Sequence, residues 1–493
     1  MEPPARQVDV VIPTAGRASL DRLLAALAPQ RDLLGEIHVV EDREGRGPAA
    51  ARNAGWRASS AAWVAFLDDD VVPGRDWASR LRDDLTGLAA GVAASQGRLR
   101  VPLRGDRRPS DWERHVAGLE DAAWVSADLA VRREALAAVG GFDERFRRAY
   151  REDTDLAMRL LRGGWQIVRG ERSCAHPVGP AGFWTSVARQ RGNADDVLMR
   201  ALHGRHWRRW GRAPRGRLRR HLLASASLGT AGLAAATGRR RAAAALAGAW
   251  LGLTGELAAA RIAPGPRDRA EVGRMLATSA VLPLAATAWS AWGVLRLPAL
   301  LLRGGPPRAT RPPRHERPAA VLLDRDGTLL FDVPYNGDPS NVAPLPGARR
   351  ALRRLRESGT PLAVVSNQSG VRRGLLEPGQ VEAVNRRAEE LLGPVGPWLW
   401  CPHAPGDGCG CRKPEPGLVL AAAKRLGVSP DRCLVIGDVA ADVQAAQAAG
   451  AAAVLVPTPR TEAEDVRMAP ATAASIEAAV ERAMATGPNG DDR

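Results

Sequence analysis

The stretch Val321-Leu322-Leu323-Asp324-Arg325-Asp326-Gly327-Thr328 decides the fold of the C-terminal third of this chain. Its apolar start reads as the end of a buried strand, and the chain then turns polar at once. Two carboxylates two residues apart at a strand end can converge on one metal and one substrate. Gly327 lets the chain turn tightly after them. In open α/β sheets, ligands gather at the carboxyl ends of strands.

Three further pieces follow in order. Val364-Val365-Ser366-Asn367 ends a second strand in a small hydroxyl suited to phosphate oxygens. Lys413 is a point cation able to neutralise a phosphoryl group. Val435-Ile436-Gly437-Asp438 ends a third strand, with Asp442 four residues on, and adds carboxylates for a hard divalent cation such as Mg²⁺. Of the first pair, one carboxylate can attack phosphorus while the other handles the leaving group's proton. The set DRDGT, SN, K and GDxxxD resembles the four motifs of the haloacid dehalogenase superfamily. That resemblance implies Asp324 as nucleophile through a phospho-aspartate and Asp326 as general acid/base. It implies Ser366 and Lys413 as holders of the phosphoryl group. The Mg²⁺ site would be Asp324, Asp438 and the backbone carbonyl of Asp326, with Asp442 on the metal side or in the outer shell.

Cys401, His403, Cys409 and Cys411 offer three thiolates and one imidazole, the ligand set of a closed structural zinc site. The motif CPHxPxxxCxCRKP and the run Ser366–Gly374 resemble the D-glycero-D-manno-heptose 1,7-bisphosphate phosphatases and their histidinol-phosphatase relatives. Within that resemblance Asn367, Arg412 and Arg373 face the substrate, a sugar phosphate.

At the other end, VDVVIPTAGR (Val8–Arg17) reads as a buried strand, and IHVVED ends a second at Glu41-Asp42. GPAAARNAGW (Gly47–Trp56) and WVAFLDDDVVP (Trp63–Pro73) follow. Three consecutive Asp at a strand end are costly unless they meet water or a cation bridging a diphosphate. Together with Ser126–Glu144 and Arg151–Trp165, this set resembles the family 2 glycosyltransferases of the GT-A fold. The resemblance implies a nucleotide-sugar donor, with Asp42 on the nucleoside and Asp68 and Asp70 on the metal–diphosphate (Mg²⁺ or Mn²⁺). Asp153 would be the base of an inverting transfer. Two departures stand out. Glu41-Asp42-Arg43-Glu44 replaces the usual Asp-Asp-Gly-Ser, and Asp128 stands where a neutral residue is common. His176 and His206 receive no role.

The chain has 493 residues and 45% apolar residues, enough for several cores. With 70 basic and 54 acidic residues its formal charge is +16. Such a balance suits nucleic acid, an anionic membrane or an anionic substrate. No zinc-finger, RNA-recognition or helix-turn-helix signature is present, so no nucleic-acid partner is expected. The cysteine spacing suits metal rather than secreted disulfides, and no signal peptide is visible at MEPPARQVDVVIP.

The expected fold is α/β: two Rossmann-like domains joined by an Ala/Leu-rich helical segment. Residues 1–212 form the GT-A domain, its sheet largely parallel. Residues 213–302 form the helical segment, 303–318 a Pro/Arg-rich linker, and 319–485 the phosphatase domain with its zinc loop. Apolar stretches at 221–237, 242–260 and 275–302 and the basic, Trp-bearing run 206–220 suit a membrane surface. Both substrates are cytoplasmic, so two spans or none are allowed. The expected location is the cytoplasm, at the inner face of the cell membrane, with a glycan or lipid-linked acceptor. The alternatives are a histidinol-phosphate phosphatase at the C-terminus, or a non-catalytic binding or anchoring module at the N-terminus.

Overall fold

The computed structural model describes residues 8–306 and 316–485. Most of the expected linker, residues 307–315, lies outside the described residues, as do residues 1–7 of the N-terminal stretch read for a signal peptide.

The N-terminal unit is built on a seven-stranded sheet. Its strands are β1 (Val8–Thr14), β2 (Ile37–Glu41), β3 (Trp63–Leu67), β4 (Val72–Pro73), β5 (Val92–Arg100), β6 (Asp128–Arg132) and β7 (Gln166–Ala175). They run in the order β2-β1-β3-β6-β5-β7-β4. Val10, Val11 and Ile12 of β1 are fully buried; each such side chain stabilises by about 1.5–3 kcal/mol. The sheet is mixed rather than largely parallel. β1 is parallel to β2 and β3, and β5 to β7, but β6 is antiparallel to both β3 and β5, and β4 to β7. An apolar run buried on both faces reads the same in either direction, so the pattern did not carry strand polarity.

The C-terminal unit has five strands, β8 (Ala320–Leu323), β9 (Leu362–Asn367), β10 (Trp398–Cys401), β11 (Cys433–Gly437) and β12 (Ala452–Leu455). All are parallel, in the order β10-β9-β8-β11-β12. Because β9, β8 and β11 are neighbours pointing one way, their carboxyl ends bring Ser366, Asp324 and Asp438 to one edge.

Between the units lie three helices, Leu218–Ala236, Arg240–Ile262 and Arg269–Leu302. The last runs through Pro283 and Pro298 without ending. It lies along the N-terminal unit and is held there near both ends. Glu271 accepts the backbone N–H of Asp111 (2.9 Å), beside the Arg261–Asp111 ion pair (2.8 Å). Further on, Gly293 meets the helix Asn193–His203 so closely that a Cβ there would stand 2.8 Å from the Cα of Ala194.

The two α/β units also touch directly. One apolar cluster combines Phe146, Met158, Trp207 and Trp210 with Val419, Ala422, Ala446 and Met468. Gln166 Nε2 donates to the buried carbonyls of Asp431 (2.7 Å) and Gly450 (3.0 Å). Trp207 and Trp210 are each 3% exposed, so these tryptophans of the run 206–220 fill an internal core instead of facing a membrane. Some of its arginines are drawn into ion pairs, Arg208 with Asp196 and Arg212 with Glu415.

Candidate active sites

Asp324 follows β8, and Gly327 (φ +83°) turns the chain behind it. A Cβ on Gly327 would come within 2.3 Å of Asp438, so glycine lets the turn close over that carboxylate. Lys413 Nζ sits between Asp324 Oδ1 and Asp442 Oδ1, 2.5 Å from each, and donates to the carbonyl of Val365 (2.7 Å). Carboxylate oxygens of Asp324, Asp438 and Asp442 lie within 4.8 Å of one another, and all three residues are buried. Three carboxylates facing one ammonium leave two negative charges away from water. Burial, then the neighbouring carboxylates, hold Asp324 well above the usual carboxylate range, against the pull of Lys413. Burial and Asp442 push Asp438 up to about 7. A buried all-oxygen donor set with excess negative charge fits a hard divalent cation.

The other expected residues fall into two groups. The Asp326 carboxylate is held by Arg325 (3.0 Å) and Gln368 Nε2 (2.9 Å); Gln368 also donates to Ser366 Oγ (2.7 Å). Gln368 thus spaces the acid/base candidate from the hydroxyl, a role its sequence position did not signal. Asn367 commits its amide to the main chain of Lys413, giving Nδ2–H to the carbonyl (3.0 Å) and accepting the N–H (3.1 Å). Its amide therefore orders the main chain of the lysine. Arg373 donates to the Tyr335 hydroxyl (2.5 Å), and Arg412 to the carbonyl of His403 (3.1 Å).

Beside this site, Cys401, His403, Cys409 and Cys411 converge as their spacing implied. Sγ of Cys401 lies 3.3 Å from that of Cys411 and 3.8 Å from that of Cys409; His403 Nδ1 is 3.4 and 3.3 Å from Cys401 and Cys411. A tetrahedron with Zn–S of about 2.3 Å has edges of about 3.8 Å, so these separations suit one zinc ion. Cys411→Ser is expected to lower the affinity of this site for a metal ion by at least about 100-fold. Phosphatase turnover is expected to fall with it, because Lys413 is two residues on. Metal content per chain, measured alongside turnover, checks this.

In the N-terminal unit, Asp68, Asp69 and Asp70 follow β3. Asp69 accepts from Thr14 Oγ1 (2.7 Å), and Asp70 pairs with Arg17 (3.0 Å). His176, given no role in the sequence, brings Nε2 to 3.6 Å from Asp70. Burial and then Asp68 raise the Asp70 pKa, against His176 and Arg17. An acidic run with one imidazole beside it fits a divalent cation as well. Asp42 gives both oxygens to main-chain N–H groups, of Arg46 (2.8 Å) and Gly47 (2.7 Å), and so orders the turn into the helix Pro48–Ala58 while staying half-buried.

The acidic pair Glu152-Asp153 opens the helix Glu152–Arg162. Arg151 before it takes φ 77°, a left-handed conformation that costs a non-glycine residue about 1–3 kcal/mol. It is held there by Asp196 (2.9 Å) and by the rings of Tyr150 and Trp207. Burial raises the Asp153 pKa, as suits a base. Arg52, inside the motif GPAAARN, is fully buried and donates to both Asp68 (2.6 Å) and Glu152 (3.0 Å). Nothing in local spacing singled it out. Asn53 of the same motif ties in Phe142 and Glu144 (each 2.9 Å). Asp128 is the buried partner of Arg172 (2.7 Å) and of Trp77 Nε1 (2.9 Å), which accounts for a charged residue there.

Residues 410–480 match the family model described as HAD-hydrolase-like, and residues 17–131 that of glycosyl transferase family 2. A D-glycero-beta-D-manno-heptose-1,7-bisphosphate 7-phosphatase of Pseudomonas putida is 37% identical over 147 residues, 29% of this chain and 84% of that relative. Its namesake from Pseudomonas aeruginosa is 38% identical over 143 residues, 28% of this chain and 80% of the relative. A solved mannosyltransferase from Pyrobaculum calidifontis, in complex with GDP-Man and Mn²⁺, is 20% identical with a TM-score of 0.36, covering 58% of this chain and 87% of that one. With its carboxylate-lined strand ends and this identity over most of a relative's length, the chain belongs to the heptose-1,7-bisphosphate 7-phosphatase family of HAD-like hydrolases, and it carries a glycosyl transferase family 2 domain ahead of that part.

Proposed function

We propose that this protein is a bifunctional carbohydrate enzyme. Its C-terminal unit hydrolyses a sugar phosphate, D-glycero-D-manno-heptose 1,7-bisphosphate, and its N-terminal unit transfers a sugar from a nucleotide-sugar donor with inversion. The observation that carries the reading is the convergence of Asp324, Lys413, Asp438 and Asp442 beside Ser366 and Asp326.

Asp324 attacks phosphorus, the bond to the sugar oxygen breaks, and Asp326 gives that oxygen its proton. Water, deprotonated by Asp326, then cleaves the phospho-aspartate and frees phosphate. Lys413 and Ser366 hold the phosphoryl oxygens, and Asn367 keeps Lys413 aimed. Mg²⁺, held by Asp324, Asp438 and the Asp326 carbonyl, with Asp442 close by, would offset the charge of the phosphoryl group. The zinc loop, Cys401 to Cys411, is structural.

In the N-terminal unit Asp153 takes the proton of the acceptor hydroxyl, and that oxygen displaces the diphosphate in one step, which inverts the sugar carbon. Asp68, Asp70 and His176 would hold the divalent cation, Mg²⁺ or Mn²⁺, that offsets charge on the departing diphosphate. The acceptor is a glycan or a lipid-linked molecule, and the protein works in the cytoplasm at the inner membrane face. One chain carrying both activities suggests one pathway, in which the phosphatase helps make the activated sugar.

Two assays test this. Phosphate release from a panel of sugar phosphates with Mg²⁺ should favour the heptose bisphosphate; release from histidinol phosphate alone would overturn the substrate and the shared pathway. Asp153→Asn is expected to lower sugar transfer by about 10²–10⁴-fold and leave phosphate release unchanged. Equal donor turnover in the two proteins would mean that the N-terminal unit is a binding module.

A further inference from the structure

A cavity of about 230 Å³ lies where the end of the long helix Arg269–Leu302 meets the N-terminal unit. Four arginines line it, Arg145, Arg147 and Arg148 from one loop and Arg296 from the helix, against a single carboxylate, Asp195. Arg145 is taken up by Asp143 (2.6 Å) and Arg148 by Asp195 (2.9 Å). Among the described residues Arg147 makes no ion pair, and Arg296 feels only the pull of Asp195, which is already paired with Arg148. The lining therefore holds more positive charge than its neighbours offset. It is shaped for an anion with several acceptor oxygens, which guanidinium groups bind in pairs of hydrogen bonds.

The surroundings say where such an anion comes from. Leu300 lines the cavity itself. Outside it the helix exposes Trp292, Val294, Leu295, Leu301 and Leu302, with Leu295 at 74% and Leu302 at 88%. The exposed apolar face continues back along the helix through Leu284, Val281 and Leu276. A soluble phosphate would have no use for that face, whereas a lipid has a phosphate for the cavity and chains for the leucines. The helix Arg240–Ile262 and this helix are long and apolar enough to cross a membrane. Yet the long helix is held on the N-terminal unit through Glu271 near one end and Gly293 towards the other. It thus lies along that unit, as a helix in the membrane interface does. At the turn before Arg240–Ile262, the exposed Arg239, Arg240 and Arg241 oppose passage of that end to the far side.

We propose that this arginine-lined cavity seats the phosphate headgroup of an anionic membrane phospholipid, with the long helix lying in the interface and not spanning it. This rests on the membrane-surface part of the reading above and adds a specific lipid site to it. The placement puts the headgroup beside the loop 145–148, a few residues before the candidate base Asp153. Bound lipid would therefore hold the transferase site towards the membrane.

The test is co-sedimentation of the full chain with vesicles of phosphatidylcholine, with and without phosphatidylglycerol. Three proteins are compared: the parent, Arg147→Glu with Arg296→Glu, and a control reversing the exposed Arg349 and Arg353. The parent should prefer phosphatidylglycerol, the cavity variant should bind at least about tenfold more weakly, and the control should bind like the parent. An unchanged thermal melting curve of the whole chain will show that the cavity variant is folded. Equal loss in the control would overturn the cavity in favour of diffuse charge. Vesicle binding that ignores phosphatidylglycerol would overturn it while leaving membrane association standing. Binding to no vesicle would overturn both, and inorganic phosphate binding to the parent without lipid preference would assign the cavity to a soluble ion.

Discussion

Asp324→Asn is expected to lower phosphatase kcat by about 10⁴-fold or more while leaving the fold intact. An amide cannot form the phospho-aspartate, and no neighbouring group can take over. Asp438 and Asp442 sit on the cation side, and the Asp326 carboxylate is held by Arg325 and Gln368. The substitution keeps the shape and removes one of three buried carboxylates. In the folded chain without cation, the Asp324 pKa is raised far above its ordinary value, chiefly by burial. A raised carboxyl pKa means that its ionised form costs stability once pH rises above the unfolded value. Asn removes that cost, so at neutral pH the metal-free variant should melt no lower than the parent. Mg²⁺ should raise the melting temperature of the parent more than that of the variant, which has lost one anionic ligand. Phosphate release and melting with and without Mg²⁺ check both halves. Residual turnover above about 1% of the parent's would exclude Asp324 as the nucleophile.

Arg52→Met should cost about 3–5 kcal/mol of stability and abolish sugar transfer. The guanidinium is buried and bridges Asp68, after β3, to Glu152, at the start of the helix carrying Asp153. Methionine fills the space but leaves two carboxylates without their cation. Burial and Asp153 already push Glu152 up to about 8 despite Arg52. Without the arginine, which holds that value down, the Glu152 pKa rises further and the spacing between donor and acceptor residues is lost. Arg52→Lys should recover only part of the loss, because an ammonium lacks the planar fork that reaches both oxygens. Denaturant unfolding gives the stability change, and donor turnover the activity. A stability change under about 1 kcal/mol would mean the bridge is incidental.

Much of both sites was legible because strand ends are written locally. Runs such as Val321–Leu323 and Leu434–Ile436 announce burial, and the polar residue after each marks the carboxyl edge where ligands gather. The thiol and imidazole spacing of Cys401 to Cys411 lies within one loop, so its convergence needed no long-range information.

Contacts between distant segments were not legible. His176 reaches Asp70 because β7 pairs with β4, far from it in sequence. That Asn367 ties down the Lys413 main chain could not be read locally, because the two lie far apart in sequence. Trp207 and Trp210 looked like membrane residues until the second unit packed over them. The direction of β6 and the arginine cavity beside the long helix belong to the same class.

From the sequence alone came the α/β class, the carboxylate and thiolate sets, and the extent of the apolar helices, because periodicity and strand-end polarity state how each residue relates to water. Which strand runs antiparallel, which cation neutralises which carboxylate, and which face of a helix stays open were decided only by the tertiary structure. Those depend on partners hundreds of residues away, and a local pattern states that a group must be covered or paired without stating by what.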